Sequence, residues 1–345
     1  MNGLRVLMML ILSLPTIAMA DEWQTLPAIP NRDGVASPFA GVSHGALLVA
    51  GGANFPDKRP WEGGEKVWHD DVYVLTRPDG RWQVAGKLPR RLGYGVSVSH
   101  RQSVICVGGS DAKRLYAEAF RLEWKDGQLQ TSKLPALPHP IANACGALVG
   151  DTLYIAGGQT SPEAETTLKT VWQIDLVAAK PRWKEVTGFP GSGRILAVAA
   201  GIGDAFYLVG GADLVTQQGG KPTRRYLADA YRFDAQHGWQ RLADLPYPIV
   251  AAPSPAPADA KGFMILGGDD GSQVGHDPKR HPGFNKQVLR FDLDAQQWQR
   301  AGEMPAARVT VPCVLWDGRW VIPSGEARPG IRSAEVWSWT PRHKD

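Results

Sequence analysis

Short apolar segments that end in a pair of glycines recur along this chain. Residues 47–50, 104–107, 153–156, 206–209 and 263–266 are each followed by Gly-Gly, and residues 320–323 are followed by Ser324-Gly325. The pairs begin at positions 51, 108, 157, 210 and 267, so they are 49 to 57 residues apart. Apolar runs of four residues bounded by glycine are typical of β-strands. The pattern therefore predicts an all-β protein built from six repeats.

Two further signals recur in the same phase. An alternating apolar and polar strand follows each glycine pair, at 71–75, 119–122, 171–174, 230–234, 288–292 and 335–339. A tryptophan then precedes a Leu-Pro-like turn. The clearest cases are Trp82, Trp183, Trp239 and Trp298, and the second repeat, with Trp124, is less regular. Each repeat thus contains the elements of one small antiparallel sheet.

This pattern resembles the Kelch repeat over roughly residues 22–340, and the resemblance implies a six-bladed β-propeller with four strands per blade. The last repeat ends after its third strand, near Trp339, whereas Trp23 begins a strand that has no blade of its own. We therefore expect the N-terminal strand to complete the last blade and close the ring. The rival arrangement, two domains of three repeats, would leave sheet edges open.

The first twenty residues have the features of a secretory signal peptide. Arg5 is followed by an apolar run over 6–14, Pro15 interrupts that run, and Ala18-Met19-Ala20 fits a cleavage site. An uncleaved anchor is the alternative, but the run is too short to cross a bilayer. We expect residues 21–345 to form one propeller domain in the periplasm, with no membrane contact after cleavage.

Composition narrows the functional classes. The chain is 43% hydrophobic and 21% charged, which is typical of a globular protein. Its net charge of +4 is dispersed, and no block of Lys and Arg indicates nucleic-acid binding. Cys106, Cys145 and Cys313 each lie in an apolar run, where cysteine packs as a small hydrophobe. The odd number leaves at least one thiol free. No metal-type spacing of Cys or His is present.

Propeller topology predicts which segments share a face. The segments after the glycine pairs and those leading into the innermost strands should meet around the axis at one face, where sites are normally built. On this basis we predict that Asn54, Arg91, Arg194 and Arg308 bind substrate, because arginine offers forked donors to a carboxylate. The alternative for each arginine is a structural contact to loop carbonyls of a neighbouring blade.

The loop after the sixth glycine position carries the strongest candidate chemistry. Glu326 and Arg332 lie six residues apart on a segment tightened by Pro329-Gly330. If both face one cavity, they suit an anionic substrate from which a proton must be moved. The alternative is an ion pair on a surface loop, which would carry no function.

Four segments are more specific than the repeat itself. They are Asp-Gly-Val-Ala at 33–36 with Phe-Ala-Gly-Val at 39–42, Ala-Gly-Gly-Ala-Asn-Phe-Pro at 50–56, Tyr-Gly-Val-Ser at 94–97, and Gly-Glu-Ala-Arg-Pro-Gly-Ile-Arg at 325–332. Together they resemble the bacterial N-acetylneuraminate epimerases, the exported sialic acid mutarotases. In a typical member the Gly-Glu-Ala segment lies mid-chain and directly precedes the Asp-Gly-Val-Ala segment. Here the first is near the end and the second near the start, so the chain resembles a cyclically permuted branch.

The resemblance implies an isomerase that accelerates exchange between the α- and β-anomers of N-acetylneuraminate. The family's catalytic Glu and Arg match Glu326 and Arg332, with their spacing preserved. Mutarotation opens and recloses the sugar ring, so a carboxylate suits the general base. An arginine suits the substrate's carboxylate. The general acid is unassigned, and no metal or organic cofactor is required.

Other functional classes remain as alternatives. Many Kelch propellers only bind proteins or carbohydrates, and a permuted member could act on another sugar. A sialidase would carry Ser-x-Asp-x-Gly-x-x-x-Trp turns, which the sequence lacks. A Kelch copper oxidase would need a Tyr–Cys pair and two His ligands, whereas the cysteines are predicted to be core residues. A homodimer is the default oligomeric state.

Overall fold

A computed structural model describes residues 22–216 and 220–340. The predicted signal peptide over residues 1–20 lies outside the described residues, so it stays a prediction, as does the periplasmic location that follows from it. Within the described ranges no helix has the length and hydropathy needed to cross a bilayer.

The described chain forms six four-stranded antiparallel sheets, which confirms the predicted six-bladed propeller. The strands of blades 1 to 3 are Phe39–Ser43, Ala46–Ala50, Asp71–Leu75 and Gln83–Lys87; Val96–His100, Ser103–Val107, Ala119–Lys125 and Gln128–Leu134; and Cys145–Val149, Thr152–Ala156, Val171–Asp175 and Lys184–Val186. Blades 4 and 5 contain Val198–Ile202, Ala205–Val209, Ala230–Asp234 and Gly238–Arg241, and then Ala258–Asp259, Gly262–Gly268, Asn285–Asp292 and Gln297–Glu303.

Blade 6 is shared between the two ends of the chain. Val314–Trp316, Arg319–Pro323 and Val336–Thr340 form its first three strands, and the N-terminal strand Glu22–Leu26 is the fourth. Trp23 pairs with Trp339, and their rings stack with centroids 5.7 Å apart. The predicted ring closure is therefore confirmed, because a strand from the N-terminal part of the chain completes the last blade.

The hydrophobic core lies between neighbouring blades. Six clusters of buried side chains each draw on two adjacent sheets. Between blades 4 and 5, for example, Tyr207, Phe263 and Phe291 pack together and are at most 3% exposed. Burial of this apolar surface, at about 25 cal/mol per Å², is the main force that holds each blade against the next.

The glycine pairs bring neighbouring blades into backbone contact. Gly157 has φ 69°, and a Cβ there would lie 2.3 Å from the carbonyl oxygen of Arg194 in the next blade. The following Gly158 donates its N–H to that same oxygen at 2.8 Å. Only glycine permits both the left-handed backbone and this approach. In blade 6, Ser324 replaces the first glycine, and Gly325 donates to Val35 of blade 1.

The recurring tryptophans connect the outer strands of adjacent blades. Each indole N–H donates to a backbone carbonyl in the turn of the preceding blade, at 2.6–2.8 Å. The pairs are Trp82 with Pro27, Trp183 with Pro135, Trp239 with Thr187, and Trp298 with Ala243. Each of these half-buried indoles thus packs its ring against the sheets and bonds the preceding blade through its N–H, which fits the recurrence of tryptophan before the turn.

A closed ring of backbone hydrogen bonds surrounds the propeller axis. One residue per blade adopts a left-handed conformation with φ between 47° and 62°, and its N–H donates to the carbonyl of the equivalent residue in the preceding blade at 2.5–3.0 Å. The members of this axial ring are Ser37, Tyr94, Asn143, Leu196, Ala251 and Thr310. Six non-glycine residues in this conformation indicate a constrained floor at the centre of one face.

Three hairpins and two short 3₁₀ helices rise from that face. The hairpins pair Ala53–Asn54 with Val67–Trp68, Ala212–Val215 with Thr223–Tyr226, and Glu326–Arg328 with Ile331–Arg332. The 3₁₀ helices are Pro60–Glu62 and Pro278–Arg280. These elements form a wall around the axial ring.

The three cysteines are free and fully buried. Burial raises the pKa of the Cys145 thiol to about 12, and it raises the pKa values of the Cys106 and Cys313 thiols as well. Each therefore packs as a small hydrophobe, as its sequence context predicts.

Candidate active site

A cavity of about 380 Å³ opens above the axial ring. Its floor includes five of the six ring residues, and a narrower channel of about 60 Å³ continues along the axis beneath them. The hairpins and loops supply the walls. Polar and charged groups in the walls are Lys66, Arg224, Asp269, Glu326 and Arg332, and aromatic or cyclic ones are Phe55, Pro60, Phe284 and Pro329.

The hairpin of blade 6 brings Glu326 and Arg332 together. The two residues are direct partners in its antiparallel register, so their side chains leave the same side of the hairpin. The turn between them contains Gly330, with φ 75°. A Cβ at Gly330 would lie 2.7 Å from Cγ of Pro60, so the turn fits against the long loop of blade 1 only as glycine.

One oxygen of Glu326 is held by two donors, whereas the other has no donor committed to it. Oε1 accepts hydrogen bonds from the backbone N–H of Gly330 at 2.6 Å and from Nη1 of Arg332 at 3.3 Å. Oε2 lies 3.5 Å from the hydroxyl of Thr310, but that hydroxyl donates to the carbonyl of Val309 at 2.7 Å. Since a hydroxyl has a single proton to donate, Oε2 keeps its capacity to accept a proton from a ligand.

Arg332 is a buried cation with a hydrogen-bond donor that has no partner in the described part of the chain. Its side chain is 4% exposed, and its guanidinium stacks on Phe55 with 4.8 Å between the central carbon and the ring centroid. Its only ion pair within the described residues is with Glu326. Nε is buried and has no hydrogen-bond partner in the described part of the chain. A buried donor without an acceptor is costly, so this arginine suits an anionic ligand.

The repeat shows how unusual the Glu326 position is. In every blade an isolated β-bridge links the residue before the axial ring to the residue after the glycine pair. The bridged residues after the glycine pairs are Ala53, Ser110, Gln159, Ala212, Asp269 and Glu326. Carboxylates thus occur only in blades 5 and 6. Asp269 already accepts from the Tyr226 hydroxyl at 2.8 Å and from the N–H of Gly271 at 3.0 Å. Glu326 is the carboxylate with an oxygen available.

The side chain of Asn54, predicted to bind substrate, already has hydrogen-bond partners in and around its own loop. The side chain is 2% exposed, and its amide nitrogen donates to Asn31 at 3.0 Å and to the carbonyl of Gly34 at 2.8 Å. Its oxygen is 2.8 Å from Nε2 of His69. These contacts fix the base of the blade 1 loop, which carries Phe55 and Lys66 into the cavity wall.

Arg194 and Arg308 are also held away from the cavity. Arg194 is fully buried and makes paired hydrogen bonds of 2.9 Å to Asp229, with a third of 2.8 Å to the carbonyl of Gly210. Arg308 is 4% exposed and bonds Glu335 and Ser333. Both guanidinium groups thus bond carboxylates of their own blade, and neither residue lines the cavity.

Arg91 does not line the cavity either. It is exposed, next to buried Leu92, and its charge contributes to lowering the pKa of His69, for which burial is the largest cause. Of the six predicted site residues, the structure brings only Glu326 and Arg332 together in the cavity.

Several cavity residues were not predicted as site residues from the sequence, although Tyr94 lies in the family-specific segment 94–97. They are Lys66, Tyr94, Arg224, Asp269 and Thr310. A signal existed for the axial ring: Tyr94 and Thr310 each stand 14 residues before the first position of their blade's glycine pair. For Lys66 and Arg224 the sequence offered only their place on long loops. Among the described residues no cluster of three or more His, Cys, Asp or Glu could hold a metal ion.

A family profile described as N-acetylneuraminate epimerase matches residues 15–131 and 134–275. The chain belongs to the N-acetylneuraminate epimerase family. The resemblance found in its motifs is thereby confirmed.

Individual relatives match a smaller part. N-acetylneuraminate epimerase of Yersinia pestis (strain Pestoides F) is 40% identical over 126 residues, which is 31% of this chain and 31% of that protein. N-acetylneuraminate epimerase of Salmonella enteritidis PT4 is 45% identical over 113 residues, 30% of this chain and 29% of that protein. These alignments thus cover less than a third of the relatives' length.

Proposed function

We propose that this member of the N-acetylneuraminate epimerase family accelerates exchange between the α- and β-anomers of N-acetylneuraminate. The observation that carries the proposal is the juxtaposition of Glu326 and Arg332 on one hairpin at the cavity wall. A base with a free oxygen stands beside a buried cation with unused donors. A sugar whose anomeric carbon bears both a hydroxyl and a carboxylate needs these two groups side by side.

In the proposed reaction Arg332 binds the substrate's carboxylate and so fixes the anomeric carbon next to Glu326. Oε2 of Glu326 takes the proton of the anomeric hydroxyl while the bond from the anomeric carbon to the ring oxygen breaks. The ring oxygen receives a proton, giving the open-chain keto acid. Rotation about the adjacent carbon–carbon bond and reclosure on the other face of the carbonyl give the second anomer, and Glu326 returns its proton.

The cavity suits a ligand of this size and character. Its volume of about 380 Å³ lies within the usual range for small-molecule pockets, roughly 300–1,000 Å³. Leu196, Ala251 and Phe284 give one sector an apolar surface, and Lys66 and Arg224 add positive charge elsewhere. This mixture fits a polyhydroxylated anion that also carries an apolar substituent.

Proton NMR on freshly released α-N-acetylneuraminate tests the proposal. Signals of the β-anomer should appear faster with catalytic amounts of the protein than in buffer alone. An unchanged rate would refute the proposed substrate, and a panel of aldoses in the same assay would then distinguish a mutarotase for another sugar from a protein that only binds carbohydrate.

Arg332→Ala should weaken substrate binding about 10- to 100-fold, because a hydrogen-bonded charge is worth about 1.5–3 kcal/mol. Apparent affinity from initial exchange rates over a range of substrate concentrations is the measurement. Arg328→Ala is the matched control, since Arg328 lies on the same hairpin outside the cavity lining. Equal affinities for the wild type and the Arg332 variant would show that the carboxylate is bound elsewhere.

A further inference from the structure

The proposed reaction requires a proton donor for the ring oxygen. The residues that line the cavity limit which side chain can be that donor. Its side chains that carry an exchangeable proton are Lys66, Tyr94, Asn143, Arg224, Thr310 and Arg332. Arginine stays protonated in proteins, and amide and aliphatic hydroxyl groups are far too weak as acids. The hydroxyl of Thr310 is in addition directed to the carbonyl of Val309. Lys66 and Tyr94 remain.

These two residues contact each other. Nζ of Lys66 lies 3.2 Å from the phenolic oxygen of Tyr94. The ammonium also lies 4.9 Å from the centroid of the Tyr94 ring and 5.2 Å from that of Trp68. Trp68 packs against Tyr94 in turn, with centroids 6.2 Å apart. Two elements thus fix the pair: the blade 1 loop carries Lys66 and Trp68 two residues apart, and the axial ring carries Tyr94.

The direction of the hydrogen bond leaves the proton of the Tyr94 hydroxyl free for a ligand. An ammonium can only donate, so the phenolic oxygen accepts from Lys66. The proton of the Tyr94 hydroxyl must then point elsewhere, and within the described residues it has no hydrogen-bond acceptor. A ligand in the cavity is the acceptor available to it, because Tyr94 lines both this cavity and the channel below.

The backbone of Tyr94 supports a role in the site. Its φ of 62° is sparsely populated for a bulky side chain. The conformation is imposed by ring hydrogen bonds, since Tyr94 donates to Ser37 at 3.0 Å and accepts from Asn143 at 2.9 Å. The phenol therefore projects from a fixed point of the floor in blade 2, whereas Glu326 projects from the wall in blade 6. The proposed reaction needs one group at each of the two oxygens on the anomeric carbon, and these two groups belong to separate elements of the cavity lining.

We propose that Tyr94 is the general acid for ring opening and that Lys66 is its positioning residue. As Glu326 takes the anomeric proton and the bond to the ring oxygen breaks, the Tyr94 hydroxyl transfers its proton to that oxygen. The phenolate left behind faces the Lys66 ammonium, which stabilises the charge where it develops. On reclosure the phenolate takes the proton back from the sugar hydroxyl that attacks the carbonyl, and Glu326 protonates the new anomeric oxygen. This assignment rests on the proposed function.

Tyr94→Phe tests it by removing the proton and keeping the ring. The maximal exchange rate should fall about 100-fold or more, in line with the usual worth of general acid catalysis, while substrate affinity by calorimetry changes less than about threefold. Thermal unfolding of both proteins checks that the fold is retained. A variant that keeps at least a third of the wild-type rate would overturn the assignment. If the wild type itself does not accelerate exchange, the proposed function fails instead, so the two failures are distinguishable.

Replacing Tyr94 by 3-fluorotyrosine provides a readout that a structural role would not change. The fluorinated phenol is more acidic, so the alkaline limb of the pH–rate profile should move to lower pH, because the acid must be protonated to act. Lys66→Met should reduce the maximal rate about tenfold with little change in affinity, and Lys66→Arg should restore part of it. An alkaline limb that stays in place with 3-fluorotyrosine would exclude Tyr94 as the acid, including in the event that the Phe variant does not fold.

Discussion

Glu326→Gln is expected to slow anomer exchange by about 10²–10⁴-fold while leaving substrate affinity within a few-fold of wild type. The amide keeps the shape of the side chain and can still accept from Gly330 through its oxygen, but it has no basic oxygen for the anomeric proton. The measurement is the maximal exchange rate by NMR at saturating substrate, corrected for the spontaneous rate in buffer.

Asp269→Asn is the matched control for this prediction. Asp269 occupies the same bridging position in the adjacent blade and lines the same cavity, but Tyr226 and Gly271 already use its oxygens. Its loss should reduce the maximal rate by less than tenfold. A folded Glu326 variant with full activity would remove Glu326 from the mechanism, and equal losses in both variants would show that the cavity needs negative charge in general.

Arg194→Ala is expected to destabilise the fold by about 3–5 kcal/mol, the usual consequence of removing one partner of a buried ion pair. Asp229, whose side chain is only 16% exposed, would keep the Tyr231 hydroxyl at 2.8 Å but lose its cationic partner. Contact with the Phe189 ring, 4.8 Å from the guanidinium carbon, would also be lost. Urea unfolding at neutral pH measures the change. If stability stays within 1 kcal/mol and substrate affinity falls instead, Arg194 has the binding role that its sequence position predicted.

The pH dependence gives a second check on the same pair. Burial alone would raise the pKa of Asp229, but hydrogen bonds and charge from Arg194 more than offset it and hold the pKa below its ordinary value. A lowered pKa contributes stability above the unfolded value, about 3.9, that is lost as pH falls through the folded value. The difference in unfolding free energy between the wild type and the Arg194→Ala variant should therefore become smaller in acid.

Arg241→Ala is the control, since it breaks an exposed pair with Asp244. It should lower stability by less than about 1 kcal/mol at any pH.

The repeated glycines and tryptophans in the sequence predicted the fold, because each of them makes the same contact between neighbouring blades. Glycine pairs permit backbone contact between blades, as at Gly157, and tryptophans such as Trp183 bond the preceding blade. Such requirements are local and identical in each unit, so spacing alone exposes them. The permuted order of the family segments and the homodimer stay predictions.

The same recurrence did not show what the arginines contact. Arg194 and Arg308 stand two residues before the axial ring, where the other repeats have Val35, Leu92, Ile141 and Ile249, all buried. An alignment of the six repeats would have marked this position as part of the core. What it could not show is that Asp229 and Glu335 lie within reach to neutralise the two guanidinium groups.

The sequence by itself predicted the number of blades and the closing strand, because the same strand and turn signals recur in each unit and the last unit lacks its fourth strand. It also placed Glu326 six residues before Arg332 on one tight loop. Only the tertiary structure decided which polar groups share the cavity. Lys66 and Tyr94 are 28 residues apart in the chain and Tyr94 and Thr310 are 216 apart, yet these three meet where the blades converge. Their meeting depends on the direction in which each side chain leaves the ring or its loop, and that direction is fixed by backbone hydrogen bonds between blades.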